Sequence, residues 1–255
     1  MSNLNPAYVI IPFKQLLANC HNNVLLGLRL VEKIDKFPDP TNEELQLIQI
    51  QLSLGNRASD ISQTKELFKR WLLINGFEDI HSCIRTTLER LFVFKAIENQ
   101  LNDNPSLAIE GVEPDLKIRA NKFNYPDLLN AVHTELKDTL TYERHLKTIN
   151  KARNCLVHRN GVIEIKDCNN DQKDKLIIVG NRFKMFFKKG DEEVLAEVGK
   201  SGPENAALML GAEEFNIEFN IGDKLDITLK QFIDILNTCI FFNADVEEKI
   251  KGKKT

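Results

Sequence analysis

A short segment in the second half of the chain combines three side chains suited to acid–base and phosphate chemistry. Arg153, Asn154 and His158 occur within six residues, inside the stretch from Lys151 to Gly161. Histidine exchanges protons near neutral pH. The planar guanidinium of arginine holds anionic oxygens with paired hydrogen bonds and stays charged. These residue types therefore indicate a site that binds a phosphate group and moves protons.

The segment resembles the signature of HEPN domains (higher eukaryote and prokaryote nucleotide-binding). That signature is an arginine followed by a polar residue such as asparagine, with a histidine a few positions beyond, on a late helix of a helical bundle. Arg153, Asn154 and His158 match it, with four residues between the arginine and the histidine. The close resemblance covers about a dozen residues of this kind of short motif, and the helical context extends it loosely over the rest.

The resemblance implies a metal-independent endoribonuclease. In such enzymes the RNA 2′-hydroxyl attacks the neighbouring phosphate and leaves a 2′,3′-cyclic phosphate, which makes RNA the substrate. It assigns His158 to acid–base catalysis or to orienting the 2′-hydroxyl, Arg153 to clamping the phosphate, and Asn154 to orienting polar groups. It also implies a defence or toxin–antitoxin setting, with RNA such as tRNA as substrate and an antitoxin or other defence-system protein as partner. No metal ion or cofactor is expected.

Helical periodicity restricts how these side chains can meet. At about 100° per residue, Asn154 and His158 share a helix face, whereas Arg153 and His158 lie about 140° apart. Either the helix ends or distorts within the motif, or two copies of the chain meet. The resemblance implies the second arrangement, because HEPN proteins commonly dimerise and place both motifs in a shared cleft. We therefore expect a homodimer with a two-fold axis near the motif.

Two other interpretations of the segment stay open. The first is a non-catalytic HEPN module that binds a nucleotide, RNA or a partner protein. The second is a helical interaction protein in which the segment is a plain helix end. Its basic residues would then meet the negative end of the helix macrodipole, and Asn160 and Gly161 would form the C-cap. Separate environments for Arg153 and His158, without a dimer cleft, would favour the second interpretation.

Further basic residues extend the candidate RNA-binding surface. Arg159 follows the motif, and Arg182 and Lys184 lie in a run at 181–190 that interleaves basic and aromatic residues. On a β-strand, alternation places Arg182 and Lys184 on one face and the aromatic residues on the other. Such a strand predicts either a phosphate-tracking edge beside the motif or, more simply, a strand with one solvated face and one core face.

Other chemistry has less support. A metal site could be formed by Cys155, His158 and Cys168. It would lack a fourth ligand, and its spacing matches no common zinc pattern. The five cysteines are scattered, so neither a disulfide framework nor a structural zinc site is expected.

His81 is expected to be exposed or packed in the core. No phosphate-binding G-x-x-x-x-G-K-[ST] loop or G-x-S-x-G elbow is present. The net charge of -3 supplies no global basic field, so RNA must be bound by a local patch.

The elements that position the motif are predicted to be helical up to Gly161. Apolar periodicity predicts helices over approximately residues 11–34, 41–55, 62–75, 77–100, 126–136 and 139–158. The prolines at 38 and 40 separate the first two, and a capping-box pattern begins the second. Gly76 is expected to end the third helix, and Asn160 with Gly161 the last. The polar stretch 102–124 is expected to be a connecting loop with a short helical piece.

The sequence changes character after Gly161. Glycine-punctuated runs rich in β-branched and aromatic residues predict short antiparallel strands at 162–165, 176–179, 183–187, 194–198, 215–219 and 225–228. Thr228 and Gln231 have the spacing of a capping box and begin a C-terminal helix that reaches about Lys249. The expected fold is a single, mainly α HEPN-like domain over residues 1–255. It comprises a helical bundle (1–161), a small antiparallel β-rich insertion (162–227) and a C-terminal helix (228–250).

Membrane and export signals are not expected. No apolar stretch is long enough to span a bilayer. The short apolar run from Tyr8 to Phe13 is interrupted by Pro12 and has no basic region before it, unlike a signal peptide. We therefore expect a cytoplasmic protein with reduced cysteines.

Overall fold

The computed structural model describes residues 4–34, 61–196 and 200–251. Within these ranges the protein is mainly helical, with six α-helices and a three-stranded antiparallel sheet that precedes the C-terminal helix. This confirms the expected mainly α fold with a small antiparallel β-rich insertion before the C-terminal helix. The breaker at 37–40 and the helix predicted over 41–55 lie outside the described residues.

The elements follow one another in a simple order. The helices are α1 (Ala7–Glu32), α2 (Ile61–Asp103), α3 (Ile109–Lys122), α4 (Tyr125–Leu136), α5 (Glu143–Arg159) and α6 (Leu229–Lys251). The strands are β1 (Lys175–Lys189), β2 (Glu192–Leu195) and β3 (Ala207–Asn220), in the order β2-β1-β3. A single 3-10 turn, Ile165–Asp167, lies between α5 and β1. None of the described helices has the length and apolar character needed to cross a membrane.

Helix α2 is the centre of the bundle. It spans 43 residues and contacts every other α-helix of the described chain. The apolar stripe predicted from the sequence is confirmed, because its members Ile80, Ile84, Leu88 and Leu91 are fully buried. Burial of one such side chain contributes about 1.5–3 kcal/mol. Because α2 is held on all sides, residues on its surface are fixed relative to α4 and α5.

The predicted helix boundary at Gly76 is wrong, since α2 continues through this residue. A Cβ atom at Gly76 would lie 2.5 Å from the side chain of Val24 on α1 and 2.9 Å from the ring of Phe232 on α6. The glycine therefore allows three helices to approach closely. It is not used for a turn.

Helix α3 occupies much of the stretch predicted to be a loop. Pro114 lies inside this helix, where a missing N–H and ring contacts disfavour helix. Leu116 and Ala120 are nevertheless buried in the main core. Tertiary packing thus outweighs the local signal that favoured a loop.

The sheet has fewer and longer strands than predicted. Strand β1 includes both runs expected at 176–179 and 183–187, with Gly180 inside it. A Cβ atom at Gly180 would lie 2.3 Å from the ring of Phe215, its cross-strand neighbour on β3. This glycine therefore makes room for a ring in the packed half of the sheet, and it does not end a strand.

Three other predicted strands are corrected or only partly seen. The runs at 162–165 and 225–228 do not form strands. The pairing found there is an isolated bridge between Val162 and Lys224. The run at 194–198 is described as far as residue 196, and β2 ends at Leu195. The run at 215–219 falls within β3, as predicted.

Both ends of the motif-bearing region are set by specific contacts. Before α5, the backbone N–H and the hydroxyl of Thr141 both donate to the carboxylate of Asp245 on α6, each at 2.8 Å. After α5, Asn160 and Gly161 have positive φ angles of 51° and 75°, and the Gly161 N–H donates to the Cys155 carbonyl at 3.1 Å. This confirms the predicted C-cap.

Candidate functional site

Helix α5 carries the three motif residues. It is continuous from Glu143 to Arg159, so the helix does not distort within the motif. Arg153 and Asn154 are half-buried, whereas His158 is exposed. A regular helix keeps Arg153 and His158 about 140° apart. One chain therefore places them in different surroundings.

Arg153 and Asn154 line an open cleft of about 660 Å³ between α2, α4 and α5. The remaining polar lining comes from Glu78, Asp79, His81, Ser82 and Arg85 of α2, Asn124 before α4, and Asn150 of α5. His158 is not part of this lining. The volume lies in the range of sites that hold small ligands and cofactors. The cleft thus brings two motif residues together with a histidine that the motif does not contain.

The guanidinium of Arg153 has no ion-pair partner among the residues that the structure describes. Among the described residues no carboxylate forms an ion pair with it, and its Nη1 makes a long contact of 3.4 Å to Asn154 Oδ1. Arg85, on the other wall, is paired with a carboxylate. Its Nε donates to Glu89 at 2.8 Å and its Nη2 to the Phe123 carbonyl at 2.9 Å. Within the described lining, Arg153 is therefore the cation available to an anionic ligand.

His81 is the residue of this cleft that sequence reasoning did not select. It is 8% exposed, so it occupies one of the two places expected for it. Its Nε2 lies 3.0 Å from Asn150 Oδ1, across 69 positions of sequence. Because an amide oxygen accepts, Nε2 carries the hydrogen and Nδ1 of the neutral ring is an acceptor. No spacing or local pattern links these two residues, since their contact arises when α2 packs on α5.

Burial lowers the pKa of His81 to about 4. The hydrogen bond to Asn150 opposes this shift, and the positive charges of Arg153 and Arg85 add to it. The ring of Tyr125 packs beside the imidazole, with centroids 5.3 Å apart. His81 is therefore neutral at neutral pH, as desolvation requires of a buried histidine without a carboxylate partner.

Acid is expected to destabilise the protein through His81. Because the pKa is lowered from 6.5 to about 4 on folding, the unfolded chain binds the proton first. The stabilising contribution is present above pH 6.5 and is lost as the pH falls towards 4. From this group alone the loss approaches ~3 kcal/mol. Urea unfolding of the wild type and of His81→Phe at pH 7 and pH 4.5 measures it.

The difference between the two proteins isolates His81 in that experiment. His145, whose pKa burial also lowers, weakens both proteins in acid by the same mechanism. The wild type should therefore lose more stability than His81→Phe between the two pH values. An equal loss in both proteins would contradict the buried, neutral state of His81.

Arg159, a predicted RNA contact, is engaged inside the chain. Its Nε donates to Asp167 Oδ2 at 2.7 Å and its Nη2 donates to Oδ1 of the same carboxylate. The side chain of Asp167 is 1% exposed and that of Arg159 is 11% exposed. The backbone N–H of Glu164 also donates to Asp167, at 3.0 Å. This pair fastens the 3-10 turn to the end of α5, and contact between Arg159 and RNA stays a prediction.

Arg182 and Lys184 also face carboxylates. Arg182 Nε lies 2.8 Å from Oε2 of Glu213, its cross-strand neighbour on β3, and Lys184 Nζ lies 3.5 Å from Glu193 on β2. These pairs are partly exposed and of the kind that stabilises sheets modestly. Both residues lie on β1, and neither lines the cleft. Their binding to RNA stays a prediction too.

The cysteines are placed as buried thiols. All five are free, and burial raises the pKa of Cys155 to about 11. The thiols of Cys155 and Cys168 lie 3.4 Å and 3.5 Å from backbone carbonyls. Over the described ranges, no group of three or more histidine, cysteine or acidic side chains is placed to hold a metal ion.

Comparisons with known proteins add no relative. No family model matches the chain, and neither the curated proteins nor the solved structures contain a match. The likeness to HEPN domains therefore rests on the motif and its helical context.

Proposed function

We propose that the protein is a metal-independent endoribonuclease of HEPN type. It cleaves RNA by attack of the 2′-hydroxyl on the adjacent phosphate and leaves a 2′,3′-cyclic phosphate. The observation that carries this proposal is the state of Arg153, a half-buried guanidinium at a cleft with no carboxylate partner in the described chain. Such a cation is suited to charge that develops on phosphoryl oxygens.

The motif residues have distinct roles in this mechanism. Arg153 holds the scissile phosphate. Asn154, which lies one turn before His158 on the same helix face, orients the polar groups around it. His158 moves the proton of the 2′-hydroxyl or of the leaving oxygen, for which its exposed imidazole is accessible. The nucleophile belongs to the RNA, so no protein nucleophile is required.

The proposal requires two copies of the chain. Within one copy His158 does not line the cleft that Arg153 lines. The outer side of α5 also exposes Val157, at 42% of its surface, next to His158. A two-fold contact along this side brings His158 of one copy towards Arg153 of the other. A regulator such as an antitoxin is then a partner that holds the activity in check.

A second candidate function is binding without catalysis. The separation of His158 from the cleft within one chain favours it. A HEPN-like module of this kind uses Arg153 and the polar lining to hold a nucleotide, RNA or a partner protein. It does not need the histidine of the motif.

The test is incubation of the purified protein with total RNA and with tRNA in EDTA, followed by end-group analysis. We expect fragments that carry 2′,3′-cyclic phosphate ends, because the 2′-hydroxyl is the nucleophile. Cleavage that disappears with EDTA would exclude the metal-free mechanism. Intact RNA in every lane would favour the binding module, which a direct RNA-binding assay then examines.

A further inference from the structure

The cleft that Arg153 lines also contains a hydrogen-bond acceptor. His81 Nε2–H is committed to Asn150, so Nδ1 is the lone-pair side of the neutral ring. Nδ1 forms no hydrogen bond within the described chain. It is also not one of the fully buried, unpaired polar atoms, so it retains some exposure to solvent. Nδ1 therefore keeps access to the cleft that His81 lines. A ligand that donates an O–H or N–H satisfies it.

The cation and the acceptor are held by one framework. Asn150 and Arg153 are three residues apart on α5, so their side chains are neighbours on its surface. Asn150 fixes the imidazole, and Arg153 is close enough for its charge to act on the same ring. The site thus pairs a place for an anion with an adjacent place for a hydrogen-bond donor.

RNA offers that pair of groups on one sugar. In a ribonucleotide the 2′-hydroxyl is adjacent to the 3′-phosphate, whereas DNA lacks the hydroxyl at this position. Glu78 and Asp79 also line the cleft, and their negative charge disfavours a second phosphate beside them. The cleft therefore fits a single nucleotide whose phosphate lies at Arg153.

We infer that His81 accepts a hydrogen bond from the 2′-hydroxyl of the nucleotide whose 3′-phosphate Arg153 holds. This inference rests on the proposed ribonuclease function and deepens it, because it adds a residue on α2 that distinguishes RNA from DNA. The roles are separate: Arg153 supplies affinity for the phosphate, and His81 supplies selectivity for ribose. Both come from the same chain. Because the 2′-hydroxyl donates its one proton to His81, the role left to His158 is to move the proton of the leaving oxygen.

The test measures binding of the four ribonucleoside 3′-monophosphates and their 2′-deoxy counterparts by calorimetry in EDTA. The wild type should bind the ribonucleotides about fivefold more tightly, the value of one ordinary hydrogen bond. His81→Phe keeps an aromatic ring beside Tyr125 but has no acceptor, so it should bind both forms with the same affinity. Arg153→Ala should weaken both forms about tenfold or more and preserve their ratio.

A matched control variant and a second measurement show whether a loss of ribose preference comes from His81 or from misfolding. His21→Phe replaces a histidine of α1 that does not line the cleft, and it should keep the preference for ribose. If His81→Phe unfolds, the ¹⁵N shift of His81 Nδ1 in the wild type serves instead. It should move with the ribonucleotides and stay unchanged with the deoxynucleotides.

Three outcomes would overturn the inference: no nucleotide binding at millimolar concentration, no ribose preference in the wild type, or the same preference in His81→Phe. Failure of the proposed function is a different result. It would appear as intact RNA with the wild type in the cleavage assay, even where the ribose preference and its loss in His81→Phe are observed.

Discussion

Replacing His158 by alanine is expected to reduce RNA cleavage by about 10²- to 10⁴-fold, the usual contribution of a positioned acid–base group. Arg153→Ala should cause a loss of similar size, because it removes the charge that stabilises the transition state. Neither change should unfold the protein. His158 is exposed, and the described chain gives Arg153 no ion pair to lose. Initial rates on one RNA substrate in EDTA, with circular dichroism of each variant, measure both effects.

Mixing these two variants tests where the site is assembled. If His158 of one copy acts with Arg153 of the other, a mixed dimer contains one intact site. Random exchange of subunits should then restore about a quarter of the wild-type rate, since half of the dimers are mixed and each has one of two sites. If the mixture stays inactive although light scattering shows dimers and a tagged copy captures its untagged partner after mixing, the site does not form between copies in this way.

The helix-end interpretation makes the opposite prediction. The C-cap formed by Asn160 and Gly161 is present, and Arg153 and His158 have different surroundings in one chain. Both features are expected of a plain helix end. That interpretation therefore predicts unchanged rates of any RNA cleavage in both alanine variants and a monomer in solution.

Sequence periodicity predicted those parts of the fold that depend on local pattern. Three such features are the buried stripe of α2, the C-cap after α5 and the Thr228–Gln231 capping box. Each is formed by residues that are close in sequence. In the last of these, Thr228 N–H donates to Gln231 Oε1 at 2.9 Å, and Gln231 N–H donates to Thr228 Oγ1 at 3.3 Å. Such signals are short-ranged, so one sequence suffices to find them.

The features that could not be predicted all depend on partners that are remote in sequence. Gly76 has the local character of a helix stop, and its use as a close-packing position depends on Val24 and Phe232. His81 gains its place in the cleft from Asn150 on another helix. These contacts form when the chain folds. The type of a residue alone does not predict which side chain, remote in sequence, will pack against it. The same holds for the charge of Arg159. Its residue type does not predict whether the guanidinium is paired inside the chain or available to a ligand.

Arg159→Ala is expected to lower the free energy of unfolding by about 3–5 kcal/mol. Its partner Asp167 is almost fully buried, and removing the guanidinium leaves a carboxylate in a poorly solvated place without its counter-charge. Arg159→Lys should recover part of the loss, because an ammonium group supplies the charge but not the two-pronged geometry. Urea unfolding at pH 7 gives the values.

Two further variants separate this structural role from the predicted contact with RNA. Arg182→Ala breaks a partly exposed pair with Glu213 and should cost less than about 1 kcal/mol. Arg159→Met combined with Asp167→Asn removes both charges and should be more stable than Arg159→Ala, since no buried charge is left alone. An Arg159→Ala protein that is as stable as the wild type but binds RNA more weakly would contradict the structural role. It would return Arg159 to the RNA-binding surface, because the pair with Asp167 would then be too weak to compete with a phosphate for the same guanidinium.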